Sequence, residues 1–398
     1  MDARGAHAAR LLGEAPGSVR ELVQGVLRWQ LTLDWLLSRV LHQPLDALDP
    51  RVRAALRIGL YEAARLATPA PVAVSEAVRL ARRESPGSAG LVNAVLRRAT
   101  TLQWPEDDPG APLWLRTGHP AWLVERWQRL LGEETARRAF AAGQRAAPLT
   151  LLAAVTRREV LEAQGVVVEP HPVVPGVLVV TSGAPAAVRG VAGGSAYAMD
   201  AVAVAVARLL PEEAGPAVDL AAAPGGKSLV LASERRGGVR MACDRTVGRT
   251  RLLGRTLALT AGGPPLAVAD ATEPPLRPAS LAAVVLDAPC SGTGTLRRHP
   301  ELRTRLAEDA LSSFAAVQRR LLDQACGLLA RGGFLLYATC SLEPEENGAL
   351  VGDRPLEVVD VAPALPPGLP VVALPTGGVV IAPSELGDGF TVHLLRRA

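Results

Sequence analysis

The sequence predicts an α/β fold: a doubly wound, mostly parallel sheet, preceded by a small α/β subdomain and an all-α helical bundle. Three observations predict it. From about Pro216, the short apolar runs "AVDL", "GVRMACD", "PLAVADAT", "LAAVVLDAPC" and "GGFLLYATCS" alternate with helix-compatible stretches of Ala, Leu and Arg. Such alternation is the pattern of parallel strands covered by helices on both faces. Each run ends in a polar or reactive residue: Asp219, Asp244, Asp270, Asp287 with Cys290, and Cys340. In an open doubly wound sheet the ligand lies outside the carboxyl ends of the strands, so these residues are expected to converge on one crevice. The first hundred residues, by contrast, carry helical periodicity throughout.

In the bundle, the apolar positions after Leu22 are Val26, Trp29, Leu33, Leu36 and Val40, stepping by four and three along one helical face. "LDPRVRAALRIGLYEAARL" offers Asp49 as N-cap and Pro50 at the first helical position. "PVAVSEAVRLARR" and "AGLVNAVLRRAT" predict two further helices. A first domain is therefore expected over residues 1–103. Residues 104–120, rich in proline and acidic residues, read as a linker. All six tryptophans fall between Trp29 and Trp127, which supports a change of domain nearby. Residues 121–195 mix a helical stretch, "WLVERWQRLLGEETARRAFAAG", with β-branched runs such as "GVLVVTS", and read as a small α/β subdomain. Residues 196–398 hold the sheet.

Composition narrows the class of protein. A chain of 398 residues, 48% hydrophobic and 21% charged, is long enough for two or three domains with ample core. No run reaches the 18 or more apolar residues of a membrane span, and "MDARGAHAARLLGEAPG" lacks the apolar centre of a secretory signal. The expectation is a monomeric cytoplasmic protein with reduced thiols. Cys243, Cys290, Cys326 and Cys340 show neither CxxC nor Cys/His spacing, which argues against a disulfide framework and against a metal site. A net charge of +4 mildly favours a polyanionic partner. Of the 43 Lys and Arg residues a single one is lysine, Lys227, and it lies in "AAAPGGK". In a chain that uses arginine everywhere else, this position calls for a compact amine.

The first predicted strand runs into that stretch, Ala221, Ala222, Ala223, Pro224, Gly225, Gly226 and Lys227, and then into a helix. Small residues let backbone approach a ligand, and the helix start supplies free N–H groups. Neither a Walker loop nor a G-x-G-x-x-G fingerprint is present, so phosphate cradling is not expected. Asp244 follows Lys227 at about the spacing at which a carboxylate takes ribose hydroxyls, and Asp270 is placed to accept from an adenine amino group. A nucleoside ligand without a diphosphate fits, and S-adenosylmethionine is such a ligand. The acceptor is indicated by sulfur. A pyrimidine C5 is a poor nucleophile until something adds to C6, and a thiolate both attacks and leaves readily. Asp287 is placed to hydrogen-bond the base, and a second thiol is a candidate to take the C5 proton. From the residues alone, the two cysteines cannot be ordered.

"DLAAAPGGKS", "VLDAPCSGTGTLRRHPELR" and "LLYATCSLEPEEN" resemble the RNA cytosine-5 methyltransferases of the Sun/RsmB family, whose catalytic domain is a Rossmann-like class I methyltransferase. "LVQGVLRWQ", "LDPRVRAALRIGLYEAARL" and "GLVNAVLRR" resemble the NusB-like RNA-binding domain of the bacterial ribosomal-RNA branch. The resemblance implies cofactor contacts at residues 221–227, Asp244, Asp270 and Asp287. It makes Cys340 the nucleophile and Cys290 the thiol that assists release, and it makes small-subunit ribosomal RNA, free or partly assembled, the partner. Two departures bear on RNA positioning. "PLTLLAAVTRR" lacks the family's Arg-x-Asn, and "YAMDAVAVAVA" keeps Asp200 without the accompanying Gln and Ser. "ELGDGFTVHLLRR" keeps Asp-Gly-Phe and reads as part of a closing strand pair. Cys243 and Cys326 read as packing residues. Arg297, Arg298, Arg303 and Arg305 flank the Cys290 loop and form either a solvated basic face or phosphate contacts, and His299 among them either touches RNA or caps a loop. Two alternatives share these features: a non-catalytic RNA-binding assembly or antitermination factor, and the same chemistry on transfer RNA.

Overall fold

The computed structural model describes residues 11–12, 15–183, 196–235, 238–352 and 354–398. Most of the N-terminal stretch weighed as a possible signal, and the end of the expected small subdomain at 184–195, lie outside these residues. The chain divides into two compact units: Met1–Gln144 with Leu296–Leu306, and Arg145–Thr295 with Ala307–Ala398. Among the described residues no helix is long and apolar enough to cross a membrane.

In the first unit helices run over Gly17–Arg28, Gln30–Ser38, Pro50–Arg65, Ala70–Glu84 and Ala89–Ala99. The apolar stripe after Leu22 is shared by two helices, because the backbone leaves helical geometry at Trp29 (φ −103°, ψ 8°). Asp49 caps the third helix, its side chain accepting from the Arg51 N–H, with Pro50 in the first turn. That helix buries Val52, Ala55, Leu56, Gly59 and Leu60, the i, i+3, i+4 set of a one-faced helix. A Cβ on Gly59 would stand 2.7 Å from Ala77 Cβ, so glycine permits the close approach of the Ala70–Glu84 helix.

Residues 104–120, expected as a linker, are packed into this unit. Trp104 meets Trp29 edge-on with ring centroids 5.4 Å apart, the Thr32 hydroxyl donates to the Leu115 carbonyl at 2.7 Å, and Leu115 is buried. Helices Ala121–Leu131 and Glu133–Gly143 extend the unit to Gln144, well past residue 103. Tryptophan and leucine set among prolines bury enough apolar surface to outweigh the turn chemistry around them.

The second unit opens with a three-stranded antiparallel sheet of β1 (Thr150–Leu152), β2 (Val167–Pro170) and β3 (Val177–Ser182), in the order β1-β3-β2. The main sheet contains β4 (Ala217–Asp219), β5 (Val239–Asp244), β6 (Leu266–Val268), β7 (Leu281–Asp287), β8 (Leu329–Thr339), β9 (Glu357–Val359), β10 (Val371–Ala373), β11 (Val379–Ile381) and β12 (Phe390–Arg396). Its order is β6-β5-β4-β7-β8-β12-β11-β10, with β9 also on β12. The five strands from β6 to β8 pair in parallel, while β9 to β12 are antiparallel. The chain moves outward from β4 to β6 and then outward again on the other side through β7 and β8, which is doubly wound topology. Alternate residues of β7 serve opposite faces: Ala283 and Val285 pack with helices Ala201–Ala207 and Gly226–Glu234, and Val284 and Leu286 with helix Leu311–Leu328. This explains why the strand reads as one unbroken apolar run.

Candidate active site

The carboxyl ends of β4 to β8 lie side by side, and the switch between the two windings falls between β4 and β7. Asp219 ends β4, Asp244 ends β5 and Asp287 ends β7, opposite Ala338 of β8. Because β7 and β8 are parallel neighbours in this register, Cys290, three residues past Asp287, meets Cys340, two residues past Ala338. Their sulfurs are 3.3 Å apart.

Glycine keeps these loops close. Gly294 N–H donates to the Cys340 carbonyl at 2.9 Å, and Gly389 N–H donates to the Gly294 carbonyl at 2.8 Å. The Cys290 loop, the Cys340 loop and the Asp-Gly-Phe segment are thereby joined through backbone. Asp200 holds the same segment from the other side: its carboxylate caps helix Ala201–Ala207 and accepts the Asp388 N–H at 3.1 Å.

The Cys290 thiol is pushed well above the ordinary range, first by its hydrogen bond with Cys340 and then by burial. It therefore keeps its proton at neutral pH, with the S–H available toward Cys340. Cys243 and Cys326 are each raised to about 11, mainly by burial, and remain inert thiols in or against the core.

Lys227 is 7% exposed. Its Nζ lies 2.7 Å from Asp287 Oδ2 and 4.9 Å from the centre of the Phe390 ring. The lone lysine is thus the fixed counter-charge of the acid that precedes the Cys290 loop. Asp244 is buried, accepting the Ala223 N–H at 3.1 Å and the Arg249 Nε–H at 2.8 Å. Asp270, at the end of the β6 segment, is exposed and accepts from the Thr272 N–H and hydroxyl, which hold its pKa down. Asp219 is buried under the same loop, accepts from the Ser228 hydroxyl at 2.6 Å, and is raised by burial to about 7.

Several residues here were not singled out from the sequence. Glu346 lies behind both cysteines with Ser291, Ser341 and Gln318, and Phe390, read from the sequence only as part of a closing strand pair, packs on Lys227. The available signal was the repeated Cys-Ser dipeptide, 290–291 and 340–341, each presenting a hydroxyl to one acid. The arginines divide differently from expectation. Arg303 and Arg297 are 2% and 7% exposed, which rules both out as a solvated face; Arg303 donates to main-chain carbonyls inside the helical unit.

Comparison with known proteins gives the family of the chain. The pattern of the 16S rRNA methyltransferase RsmB/F family matches residues 206–360, and that of the NusB family matches residues 2–101. Ribosomal RNA small subunit methyltransferase B of Thermus thermophilus is 34% identical over 94% of this chain and 87% of its own length. The chain belongs to that family. The Pseudomonas putida protein of the same name is 32% identical over 84% of this chain and 80% of its own. Among solved structures, a methyltransferase homologue from Pyrococcus horikoshii superposes with a TM-score of 0.57 at 24% identity, over 72% of this chain and 97% of that one, and so shares the fold.

A methyltransferase of this family draws its methyl group from S-adenosylmethionine, and the residues present fit that group. The 221–227 loop is nearly free of side chains, Gly225 has a positive φ of 111°, and a Cβ there would stand 2.9 Å from Leu253 Cδ1. Loop and strand ends together offer backbone N–H groups and carboxylates, the donor and acceptor set of a nucleoside.

Proposed function

We propose that this protein methylates C5 of a cytosine in the small-subunit 16S ribosomal RNA, in the cytoplasm, with Cys340 as nucleophile and Cys290 as the thiol that assists release. In this reading Ala221 to Lys227, Asp244, Asp270 and Asp287 hold S-adenosylmethionine, which supplies an electrophilic methyl group. Cys340 Sγ bonds to C6 and makes C5 nucleophilic; C5 takes the methyl group; loss of the C5 proton then restores the C5–C6 double bond and expels Cys340. Lys227 fixes one oxygen of Asp287, and the Asp287 side chain is 39% exposed, so this carboxylate is accessible to the amino group of the base.

The proximity of two sulfurs at the ends of adjacent strands is the observation that carries the reading. It also orders the proton transfers. The Cys290 thiol is held up first of all by Cys340. Once Cys340 Sγ is bonded to C6, its hydrogen bond with Cys290 is lost and Cys290 becomes easier to ionise: its S–H proton passes to water, and the resulting thiolate takes the C5 proton as Cys340 leaves.

The test is a pair of variants. Cys340→Ser is expected to abolish methyl transfer, and Cys290→Ala to leave protein covalently held on RNA, seen as a slow band on a denaturing gel. Absence of any adduct with Cys290→Ala would contradict the assigned roles. Mapping 5-methylcytosine in ribosomal and transfer RNA, from cells with and without the gene, decides the RNA class.

A further inference from the structure

Behind the two sulfurs lies a fully buried carboxylate that the reaction as written does not use. Glu346 is 0% exposed. Its Oε1 accepts the Ser291 N–H at 2.8 Å and a Gln318 Nε2–H at 2.9 Å. Its Oε2 accepts the hydroxyls of Ser291 and Ser341. Ser291 directly follows Cys290, and Ser341 directly follows Cys340. Gln318 also donates to the Pro289 carbonyl at 2.9 Å, on the other side of Cys290.

We infer that Glu346 is a positioning residue, a clamp that grips the residue after each cysteine and thereby sets the separation of the two sulfurs. The inference rests on the reading of Cys290 and Cys340 as the catalytic pair. Physically, a buried carboxylate is tolerated only when its lone pairs are satisfied, and here four donors from three residues satisfy it. Two of those donors come from the Cys290 loop and one from the Cys340 loop, so neither loop can move away without stranding an acceptor at low dielectric. The join is reinforced around Ser341: the Thr293 and Ser341 hydroxyls are 3.3 Å apart, and the Leu342 N–H donates to Thr293 Oγ1 at 3.1 Å. The backbone bridge through Gly294 fixes how deep the loops sit, and the carboxylate fixes their lateral spacing. The negative charge has a second consequence, since it is among the causes that keep the Cys290 thiol protonated.

The experiment uses sulfur proximity as its ruler and needs no RNA. Diamide takes two electrons and two protons from two thiols and leaves a disulfide; in the full chain the yield of the Cys290–Cys340 disulfide is followed over time by alkylation and peptide mass spectrometry. Glu346→Ala is expected to form it at least about tenfold more slowly than the parent, because effective concentration falls steeply when two groups lose their fixed orientation. Glu346→Gln keeps an acceptor for the Ser291 N–H and is expected to lie between them.

In methylation assays, Glu346→Ala is expected to lower kcat by about 10²-fold, with KM for S-adenosylmethionine within about twofold of the parent. Where Glu346→Ala fails to fold, Ser291→Ala removes one hydroxyl and is expected to slow the disulfide in the same direction. Disulfide formation at the parent rate in every folded variant overturns the clamp. A Cys340→Ser variant that still methylates overturns the catalytic reading instead, and leaves the disulfide comparison to decide the clamp alone.

Discussion

At the scale of single residues, charge in this molecule is placed by reach and by burial. Lys227 sits between Asp287 and Phe390 with 7% exposure, where a compact ammonium fits and the broad fork of a guanidinium would displace the ring or the acid. Lys227→Arg is expected to lower kcat/KM for S-adenosylmethionine by at least about tenfold, or ~1.4 kcal/mol. Unchanged cofactor affinity and turnover would refute the pairing as the reason for this lysine. Asp219 makes a different prediction. Burial raises its folded-state pKa to about 7, above the ordinary carboxylate value, so the native state binds its proton more tightly than the unfolded chain does. Its contribution to stability is full below the unfolded pKa of about 3.9 and is lost as pH rises through about 7, a difference of up to ~4 kcal/mol. Asp219→Asn is therefore expected to flatten the fall in stability between about pH 4 and pH 7. Urea unfolding midpoints at pH 4.5 and pH 8 for the two proteins measure it, and an equal fall in both would contradict the assignment.

At the scale of elements, the site is made by loops that cross without side chains. A Cβ on Gly294 would stand 2.1 Å from the Gly389 carbonyl oxygen and 3.0 Å from that of Cys340, both backbone atoms that cannot swing aside. Gly294→Ala is expected to cost about 1–3 kcal/mol of stability, as overpacking does, and to part the Cys290 and Cys340 loops. Thermal unfolding together with the diamide disulfide rate checks both effects; a stable variant with an undisturbed disulfide rate would show that the joint tolerates a methyl group. The strands from β4 to β8 were legible in the sequence because parallel, doubly covered strands read as apolar runs, and the meeting of Cys290 with Cys340 was legible because strand ends in such a sheet share an edge, whereas Asp270, expected in the same crevice, is exposed and bonded to Thr272 in its own turn. Asp49 and Pro50 were legible as local chemistry. Glu346 was not, because a carboxylate in "LEPEEN" looks like any other acid until the fold brings Ser291, 55 residues away, onto it. The break at Trp29 and the packing of residues 104–120 were hidden for a related reason. Tertiary burial of Trp29 against Trp104 and Arg65 decides them, with the Arg65 guanidinium 4.4 Å above the Trp29 ring.

At the scale of the whole molecule, the chain does not keep its two units separate in sequence. It leaves the sheet-bearing unit after Thr295, contributes Leu296–Leu306 to the helical unit, and returns at Ala307. The anchor of that excursion is Arg303, 2% exposed. Its Nη1 donates to the Arg28 carbonyl at 2.9 Å and to the Thr117 carbonyl at 3.3 Å, and its Nη2 donates to the Gly143 carbonyl at 2.7 Å. Those carbonyls belong to three separate segments: the end of helix Gly17–Arg28, the end of helix Leu113–Thr117, and the end of helix Glu133–Gly143. Helix C-termini carry unsatisfied carbonyls and partial negative charge, so one buried guanidinium reaches three of them at once. A residue only thirteen positions past Cys290 in the chain is thus part of the core of the helical unit. Arg303→Ala strands the Arg28 and Gly143 carbonyls in the interior, while the Thr117 carbonyl keeps its bond from the Gln144 side-chain amide, and leaving buried acceptors unmet costs about 1–3 kcal/mol. The expected result is a lower unfolding midpoint with faster hydrogen exchange at the ends of helices Gly17–Arg28 and Glu133–Gly143. An Arg303→Ala protein that unfolds at the parent midpoint would mean that the helical unit holds together without the Arg303 bonds.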